Sequence, residues 1–132
     1  MRKLLESFRV IQNAMNKAEQ SRPDYVVELL QRQEDQWLDF KRAEIKPRDL
    51  APLIAGFANT DGGVVVIGVD DKTRAQRGVA SASLQALNDL LETPCKLCQP
   101  APVCHHKFID IINEKGEPDR LLLFDVYKSD VR

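Results

Sequence analysis

The sequence predicts an α/β fold, in which a single domain is built on a mixed β-sheet with flanking helices. Segments with helical periodicity alternate with short β-rich segments in the order strand, helix, strand, helix, strand, strand. Residues 64–69 form an almost unbroken β-branched run, which is typical of a strand buried on both faces. The 132 residues are one domain's length, with room for a core.

An N-terminal helical extension precedes this core. Its apolar residues recur at helical spacing and are Leu4, Leu5, Phe8, Ile11 and Met15. The spacing predicts an amphipathic helix over residues 2–19, so that residues 1–22 form a helical unit before the main domain at residues 23–132. A second helix is predicted over residues 25–33. Such helices either pack on their own sheet or pair with a second copy of the chain.

The first half of the core is predicted as strand, helix and strand. Residues 36–41 form the first strand, since aromatic and apolar residues alternate there with polar ones. Pro47 begins the helix that follows, because proline is favoured in the first turn. The helix ends at Gly62-Gly63, where glycine can adopt the left-handed conformation that closes a helix. Residues 64–69 are the second strand.

The second half adds a helix and two strands. A polar turn at residues 70–73 leads to a short return strand at residues 77–79. Ser83 caps the next helix and Pro94 ends it, because proline interrupts the helical hydrogen-bond pattern. The last two strands, residues 103–112 and 121–127, are joined by a hairpin loop at residues 113–119. The final strand runs almost to the end of the sequence, so we expect further domains to follow in a longer protein.

The composition restricts the classes of function. Lys and Arg total 19 against 20 Asp and Glu, which gives a formal net charge of −1. A chain this neutral lacks the general positive field of a nucleic-acid coat protein, so nucleic-acid binding requires a local basic patch. The longest apolar run is too short to cross a bilayer, which argues against a membrane partner. Three cysteines and the absence of an apolar signal segment indicate a cytoplasmic protein.

Two blocks of sequence carry a resemblance to a known family. Residues 34–41 read Glu-Asp-Gln-Trp-Leu-Asp-Phe-Lys, and residues 57–71 read Phe-Ala-Asn-Thr-Asp-Gly-Gly-Val-Val-Val-Ile-Gly-Val-Asp-Asp. Together they resemble the AlbA-type domain of the Schlafen family over residues 26–128. The resemblance implies a nucleic-acid-binding domain, expected as the DNA-binding module of a bacterial transcriptional regulator. Some relatives are labelled divergent ATPases, but this chain has no Gly-x-x-x-x-Gly-Lys-Ser/Thr phosphate-binding sequence.

Basic residues and a glycine corner are the candidate nucleic-acid-binding groups, for DNA or RNA alike and without a cofactor. The cations follow the first and second strands, which the family fold places at one rim of the sheet. The candidates are Lys41, Arg42, Lys46, Arg48, Lys72, Arg74 and Arg77, with Gly62 and Gly63 shaping the surface. The alternative is a solvated face without a ligand. Trp37 and Phe40 either stack on bases or belong to the core.

Three carboxylates define an alternative function as an enzyme. Schlafen proteins that cut RNA hold a divalent metal with three acidic residues, and the resemblance carries these onto Glu34, Asp39 and Asp71. Carboxylate oxygens bind Mg²⁺ or Mn²⁺, which would make the chain a metal-dependent endoribonuclease. In the alternative interpretation, Glu34 and Asp39 pair with nearby cations or amides and Asp71 forms a turn. Binding without catalysis is the favoured alternative.

Cysteine and histidine residues that lie close together in the sequence are candidate zinc ligands. Two cysteines two residues apart, followed by a cysteine and two histidines, are ligand types that zinc prefers. Alternate strand residues share a face, so the preferred set is Cys95, Cys98, Cys104 and His106. The alternative is two loop cysteines and a half-buried Cys104. A third function class is an interaction module without a nucleic-acid ligand, in which the N-terminal helices join two copies as a homodimer.

Overall fold

The computed structural model describes residues 37–129 together with Gln31 and Glu34. The predicted helix over residues 2–19 lies outside the described residues, as does the predicted helix over residues 25–33 apart from Gln31. The N-terminal unit at residues 1–22 therefore stays a prediction.

Four strands and two helices follow one another in the predicted order. They are β1 Leu38–Lys41, α1 Pro47–Ala58, β2 Gly63–Ile67, α2 Leu84–Lys96, β3 Cys104–Ile112 and β4 Pro118–Val126. The predicted α/β class and the strand, helix, strand, helix, strand, strand sequence are thus confirmed. Pro47 lies in the first turn of α1, and the Ser83 side chain accepts a hydrogen bond from the Ala86 amide to cap α2.

The strands form one mixed sheet in the order β1-β2-β4-β3. β1 and β2 are parallel and are joined by α1, while β4 pairs antiparallel with both β2 and β3. The register places Lys41, Ile67, Leu122 and Phe108 in one row across the sheet. β1 and β3 are therefore the two edges, and β3 is the longer one with nine residues.

Apolar side chains are buried on both faces of the sheet. On the helix face, Val65, Ile67 and Leu122 pack with residues of α1 and α2. On the second face, Val64 and Leu123 belong to a cluster of buried residues that also includes Trp37, Leu38, Phe40, Val66, Val69, Ile109, Ile111 and Leu121. The prediction that the second strand is buried on both faces is confirmed, because Val64 to Ile67 are 0% exposed.

Two local predictions are wrong. Pro94 does not end α2, which continues to Lys96, and Pro94 itself is buried in the last turns of the helix. Packing of this helix against α1 in the core outweighs the one hydrogen bond that proline removes. The return strand at residues 77–79 is absent from the described residues, where an isolated bridge joins Val69 to Gln76. The amides of Arg77 and Gly78 both donate to the Gly68 carbonyl, so a tight turn replaces a ladder.

Gly78 holds this turn against the hairpin between β3 and β4. Its φ is +76°, and a Cβ at this position would lie 2.1 Å from the carboxyl carbon of Asp119. Asp119 Oδ1 accepts hydrogen bonds from the amides of Val79, at 3.0 Å, and Ala80, at 2.9 Å. Only glycine lets the turn approach this carboxylate closely enough to form these bonds.

We predict that Gly78→Ala destabilises the fold more than Gly116→Ala. Both glycines have a left-handed φ, +76° and +78°, but a Cβ at Gly116 meets nothing within 4 Å. Gly116→Ala should therefore lower the free energy of unfolding by only about 1 kcal/mol, the cost of a left-handed backbone with a Cβ. Gly78→Ala should lower it by about 2 kcal/mol more, because the new Cβ displaces Asp119. Urea unfolding of both variants measures the difference. Equal losses would show that the Asp119 contact does not hold the turn.

Candidate nucleic-acid interface

The carboxyl ends of β1 and β2 lie at the same end of the sheet, because the two strands are parallel. The Lys41 carbonyl accepts hydrogen bonds from the amides of Gly68, at 2.8 Å, and Val69, at 3.2 Å. The backbone that follows β2 is therefore hydrogen-bonded to the last residue of β1. Seven cations follow these two strand ends, and we call them the basic rim: Lys41, Arg42, Lys46, Arg48, Lys72, Arg74 and Arg77.

Asp70 organises the loop that carries the second half of the basic rim. Its Oδ1 accepts hydrogen bonds from the amides of Lys72, at 2.9 Å, and Thr73, at 3.0 Å. Its Oδ2 lies 3.4 Å from Nη2 of Arg77. The amide bonds from Thr73 and Lys72, followed by the charges of Arg77 and Arg42, hold the pKa of Asp70 below its usual value. The loop thus keeps its shape through one carboxylate that stays ionised.

Arg74 covers the aromatic ring of Phe40. Its guanidinium lies 4.0 Å from the ring centroid, and its backbone adopts a left-handed φ of 64°. Phe40 is 0% exposed and Trp37 is 3% exposed, so both belong to the core and neither offers a face to a base. Of the two interpretations of these aromatic residues, the core position is the observed one. The cation–π contact instead orients Arg74 on the second face of the sheet.

The cations of the basic rim differ in their partners. Lys41 pairs with Asp39, and Arg77 pairs with Asp70 and, at 3.5 Å, with Glu114. The exposed cations without an ion pair to any described carboxylate within 4.0 Å are Arg42, Lys46, Arg48 and Lys72. Arg77 and the acidic residues Glu44, Glu114 and Glu117 line one polar cavity. This acidic border limits the positive surface on the side of Arg77.

The structure does not bring the glycine corner to the basic rim. Gly63 begins β2, whereas the rim follows its end. Gly62 and Gly63 are both buried, and Gly62 has a φ of +83°. A Cβ on Gly63 would lie 2.6 Å from the Phe57 ring. The corner therefore serves the helix-to-strand turn and the packing of Phe57.

Two of the three candidate carboxylates, Glu34 and Asp39, lie together beside Lys41. Lys41 Nζ lies 2.9 Å from Oδ1 of Asp39, and the charges of Glu34 and Asp71 also act on this ammonium. Burial opposes the charge of Lys41, but the bond to Asp39 and the carboxylate charges outweigh it and raise its pKa. Burial and the bond to Asp39 raise the pKa of Glu34, whose Oε2 accepts a hydrogen bond from the Phe40 amide at 2.9 Å. The Lys41 ammonium thus offsets the charge of Asp39 and part of the charge of Glu34.

The metal predictions rest on donor chemistry. Within residues 37–129, Gln31 and Glu34, no group of three or more His, Cys, Asp or Glu side chains is arranged to hold a metal ion. Oxygen ligands at Glu34, Asp39 and Asp71 suit Mg²⁺ or Mn²⁺, but a metal there would compete with the Lys41 ammonium. The three-carboxylate metal site stays a prediction.

The cysteine cluster lies between the end of α2 and the start of β3. Cys95 is exposed, Cys98 is buried with its thiol 3.7 Å from the Ala51 carbonyl, and Cys104 is half-buried. Burial, followed by the charges of Asp125 and the other two thiols, raises the pKa of Cys104 to about 12. Cys104 and His106 share the helix face, as the alternation of strand residues predicts. Zinc binding by Cys95, Cys98, Cys104 and His106 stays a prediction.

Sequence reasoning did not find the contacts that shape the site. The Arg74 guanidinium on Phe40 and the Asp119 carboxylate on the amides of Val79 and Ala80 join residues that are far apart in sequence. No spacing rule predicts such pairs. The acidic pair Asp70-Asp71 did carry a signal, since an aspartate that accepts amides two and three residues on is a common turn-former.

These features define a small α/β domain with a basic rim at the carboxyl ends of two parallel strands. The chain belongs to the Schlafen AlbA_2 family, because the family model described as "Schlafen, AlbA_2" matches residues 34–132. No curated protein matches the chain. Among the residues that the structure describes, no helix has the length and apolar character that a bilayer crossing requires.

A solved structure with limited similarity is the crystal structure of the DIP2311 protein from Corynebacterium diphtheriae. It is 23% identical to this chain, with a TM-score of 0.47. The match covers 80% of this chain but 22% of the DIP2311 chain, so the chain spans about a fifth of that protein's length.

We predict that Asp70→Asn lowers stability near neutral pH and that the deficit shrinks in acid. The pKa of Asp70 is lowered in the folded state, so its stabilising effect is present above the unfolded pKa of about 3.9 and is lost as the pH falls through the folded pKa. Urea midpoints of both proteins, measured from neutral pH downwards, should converge. Asp61→Asn, at an exposed position, is the control. A deficit that stays constant in acid would contradict the role of the ionised carboxylate.

Proposed function

We propose that this chain is a nucleic-acid-binding domain that holds the phosphate backbone along the basic rim, as the DNA-binding module of a bacterial transcriptional regulator. The observation that carries the proposal is the meeting of two basic segments at one end of the sheet in a chain whose net charge is −1. Membership of the Schlafen AlbA_2 family is consistent with a nucleic-acid-related role.

Four cations are the main phosphate contacts in this proposal. Arg42, Lys46, Arg48 and Lys72 are exposed and make no ion pair with a described carboxylate within 4.0 Å. Their charges are neutralised by counterions, which a phosphate backbone releases when it binds. A cation already paired with a carboxylate, such as Lys41 or Arg77, gains less from a phosphate because the existing pair must first be broken.

The fixed shape of the rim supports the proposal as well. Asp70 holds the loop from residue 70 to 77, and Phe40 holds the guanidinium of Arg74. Charges held on an ordered surface lose less side-chain freedom when they meet a regular array of phosphates. The acidic border at Glu114 and Glu117 repels phosphate and directs the backbone towards Arg42 and Lys72.

We predict that Arg42→Ala with Lys72→Ala weakens nucleic-acid binding and flattens its salt dependence. Loss of two phosphate contacts should reduce the slope of log K against log salt by about 1.8 for duplex DNA. Fluorescence anisotropy of labelled duplex DNA and of structured RNA, each at several salt concentrations, measures both quantities. The ligand that binds more tightly decides between DNA and RNA.

The matched control is Lys96→Ala with Lys128→Ala, which removes the same charge from outside the basic rim. These residues end α2 and follow β4. The control should keep the affinity and the slope of the unaltered protein. Equal losses of affinity in both double variants would show that binding depends on the total charge and not on the basic rim. No binding at low salt would refute the proposal.

A metal-dependent endoribonuclease is the second candidate function. The observation in its favour is that Glu34 and Asp39 lie together beside Lys41, and that the charge of Asp71 also acts on this ammonium. A bound Mg²⁺ or Mn²⁺ would polarise a phosphodiester for attack by water. In this chain the carboxylates would hold that ion, and the basic rim would position the RNA beside it.

If the chain is this nuclease, Asp39→Asn abolishes RNA cleavage without weakening binding to the basic rim, because it removes a negative charge beside Lys41. Structured RNA incubated with Mn²⁺ and separated on a denaturing gel measures cleavage, and anisotropy measures binding. The Lys128→Ala variant, purified in the same way, should cleave as the unaltered protein does. Intact RNA with the unaltered protein, or cleavage that survives Asp39→Asn, excludes this mechanism.

A further inference from the structure

The two edge strands of the sheet differ in how freely they could pair with a further strand. β1 has four residues, and the amide of Phe40 on it already donates to Glu34 at 2.9 Å. β3 has nine residues, and no described residue beyond β4 forms a backbone ladder with it. His106, Asp110 and Ile112 on this strand are exposed. A long edge with unsatisfied backbone groups is a template for another strand.

The hydrogen bonds at both ends of the β3–β4 ladder show which groups point outward. The Tyr127 amide donates to the Val103 carbonyl at 2.9 Å, and the Asn113 amide donates to the Glu117 carbonyl at 2.8 Å. Val103 and Asn113 flank β3 and are both odd-numbered. Because hydrogen-bonded pairs alternate along an antiparallel ladder, the odd-numbered residues of β3 are the ones whose amides and carbonyls bond to β4. The even-numbered residues direct their amides and carbonyls away from β4, and they are Cys104, His106, Phe108, Asp110 and Ile112.

We propose that two copies of this chain join along β3, in antiparallel pairing centred on Phe108, to form a continuous eight-stranded sheet. In this register all the outward residues of one copy face outward residues of the other. His106 faces the partner's Asp110, Cys104 faces the partner's Ile112, and Phe108 faces the partner's Phe108. The imidazole N–H can donate to the carboxylate, and the two-fold axis repeats this pair.

Neighbouring registers are less favourable. A shift that centres the pairing on Lys107 places the two Lys107 side chains opposite each other, and like charges directly across a ladder repel. A shift that centres it on Ile109 places Asp110 against the partner's Phe108 and leaves Cys104 without an opposite residue in β3. The register centred on Phe108 alone pairs each exposed carboxylate with an imidazole.

The dimer would also fix where the two basic rims lie, a consequence that rests on the proposed function. Lys41 lies in the same row as Phe108, so the two-fold axis and both Lys41 residues fall on one line across the sheet. Seven strand-to-strand steps of about 4.8 Å separate the two lysines by about 34 Å. Antiparallel pairing about this axis reverses the strand direction, so the other cations of the two rims, which follow the ends of β1 and β2, lie at opposite ends of the joined sheet.

Sedimentation of the full chain without nucleic acid tests the interface apart from the proposed function. We expect a dimer that His106→Asp weakens roughly tenfold, because two carboxylate pairs then oppose each other. Adding Asp110→His to that variant should restore the dimer by reversing each pair. His105→Asn, a change one residue away whose side chain lies on the other face of the strand, should leave it intact.

Amide hydrogen exchange, measured as the concentration rises, tests the register. The outward amides of His106, Phe108 and Asp110 should become protected in the dimer, whereas the odd-numbered amides are protected throughout by β4. A chain that stays monomeric at hundreds of micromolar overturns the proposal. So does a dimer whose outward amides exchange freely, or one that the charge reversal does not restore. Nucleic-acid binding by a monomer would leave the proposed function standing while this interface fails.

Discussion

Burial of β2 on both faces is the constraint on which the rest of the structure depends. Val64 to Ile67 are completely inaccessible to solvent, so every backbone group of this strand needs a partner within the sheet. β1 supplies a parallel ladder on one side and β4 an antiparallel ladder on the other. A parallel neighbour requires a crossover, which α1 provides on the helix face. The same crossover brings the carboxyl ends of β1 and β2, and the cations that follow them, to one rim.

The basic rim can be positive in a chain of nearly zero net charge because the acidic residues near it are held in other contacts or lie beside it. Asp70 faces into its loop and fixes the backbone, and Asp39 neutralises Lys41 on the helix face. Other acidic groups form the border beside Arg77. Positive charge is therefore left at exposed positions of the rim. A global count of charges cannot reveal this separation, because it depends on where each side chain points.

Sequence reasoning reached the site through its two motif blocks, and it failed where the contacts are long-range. The strands and helix around residues 34–71 follow from hydrophobic period, proline and glycine, all of which act locally. The burial of Trp37 and Phe40 and the remoteness of Gly62-Gly63 from the cations depend on packing instead. Pro94 shows the same limit: its local tendency to end a helix is overridden by the packing of α2 on α1.

By itself the sequence determined the α/β class, the order of the elements, the two-sided burial of β2 and the family, since each is encoded in contiguous segments. Only the tertiary structure decided the strand order β1-β2-β4-β3, and hence that β3 is the long edge. It also decided that Asp39 pairs with Lys41 and lies beside Glu34. Strand order and side-chain contacts arise from the joint burial of segments far apart in the chain, and no local periodicity records which segments those are.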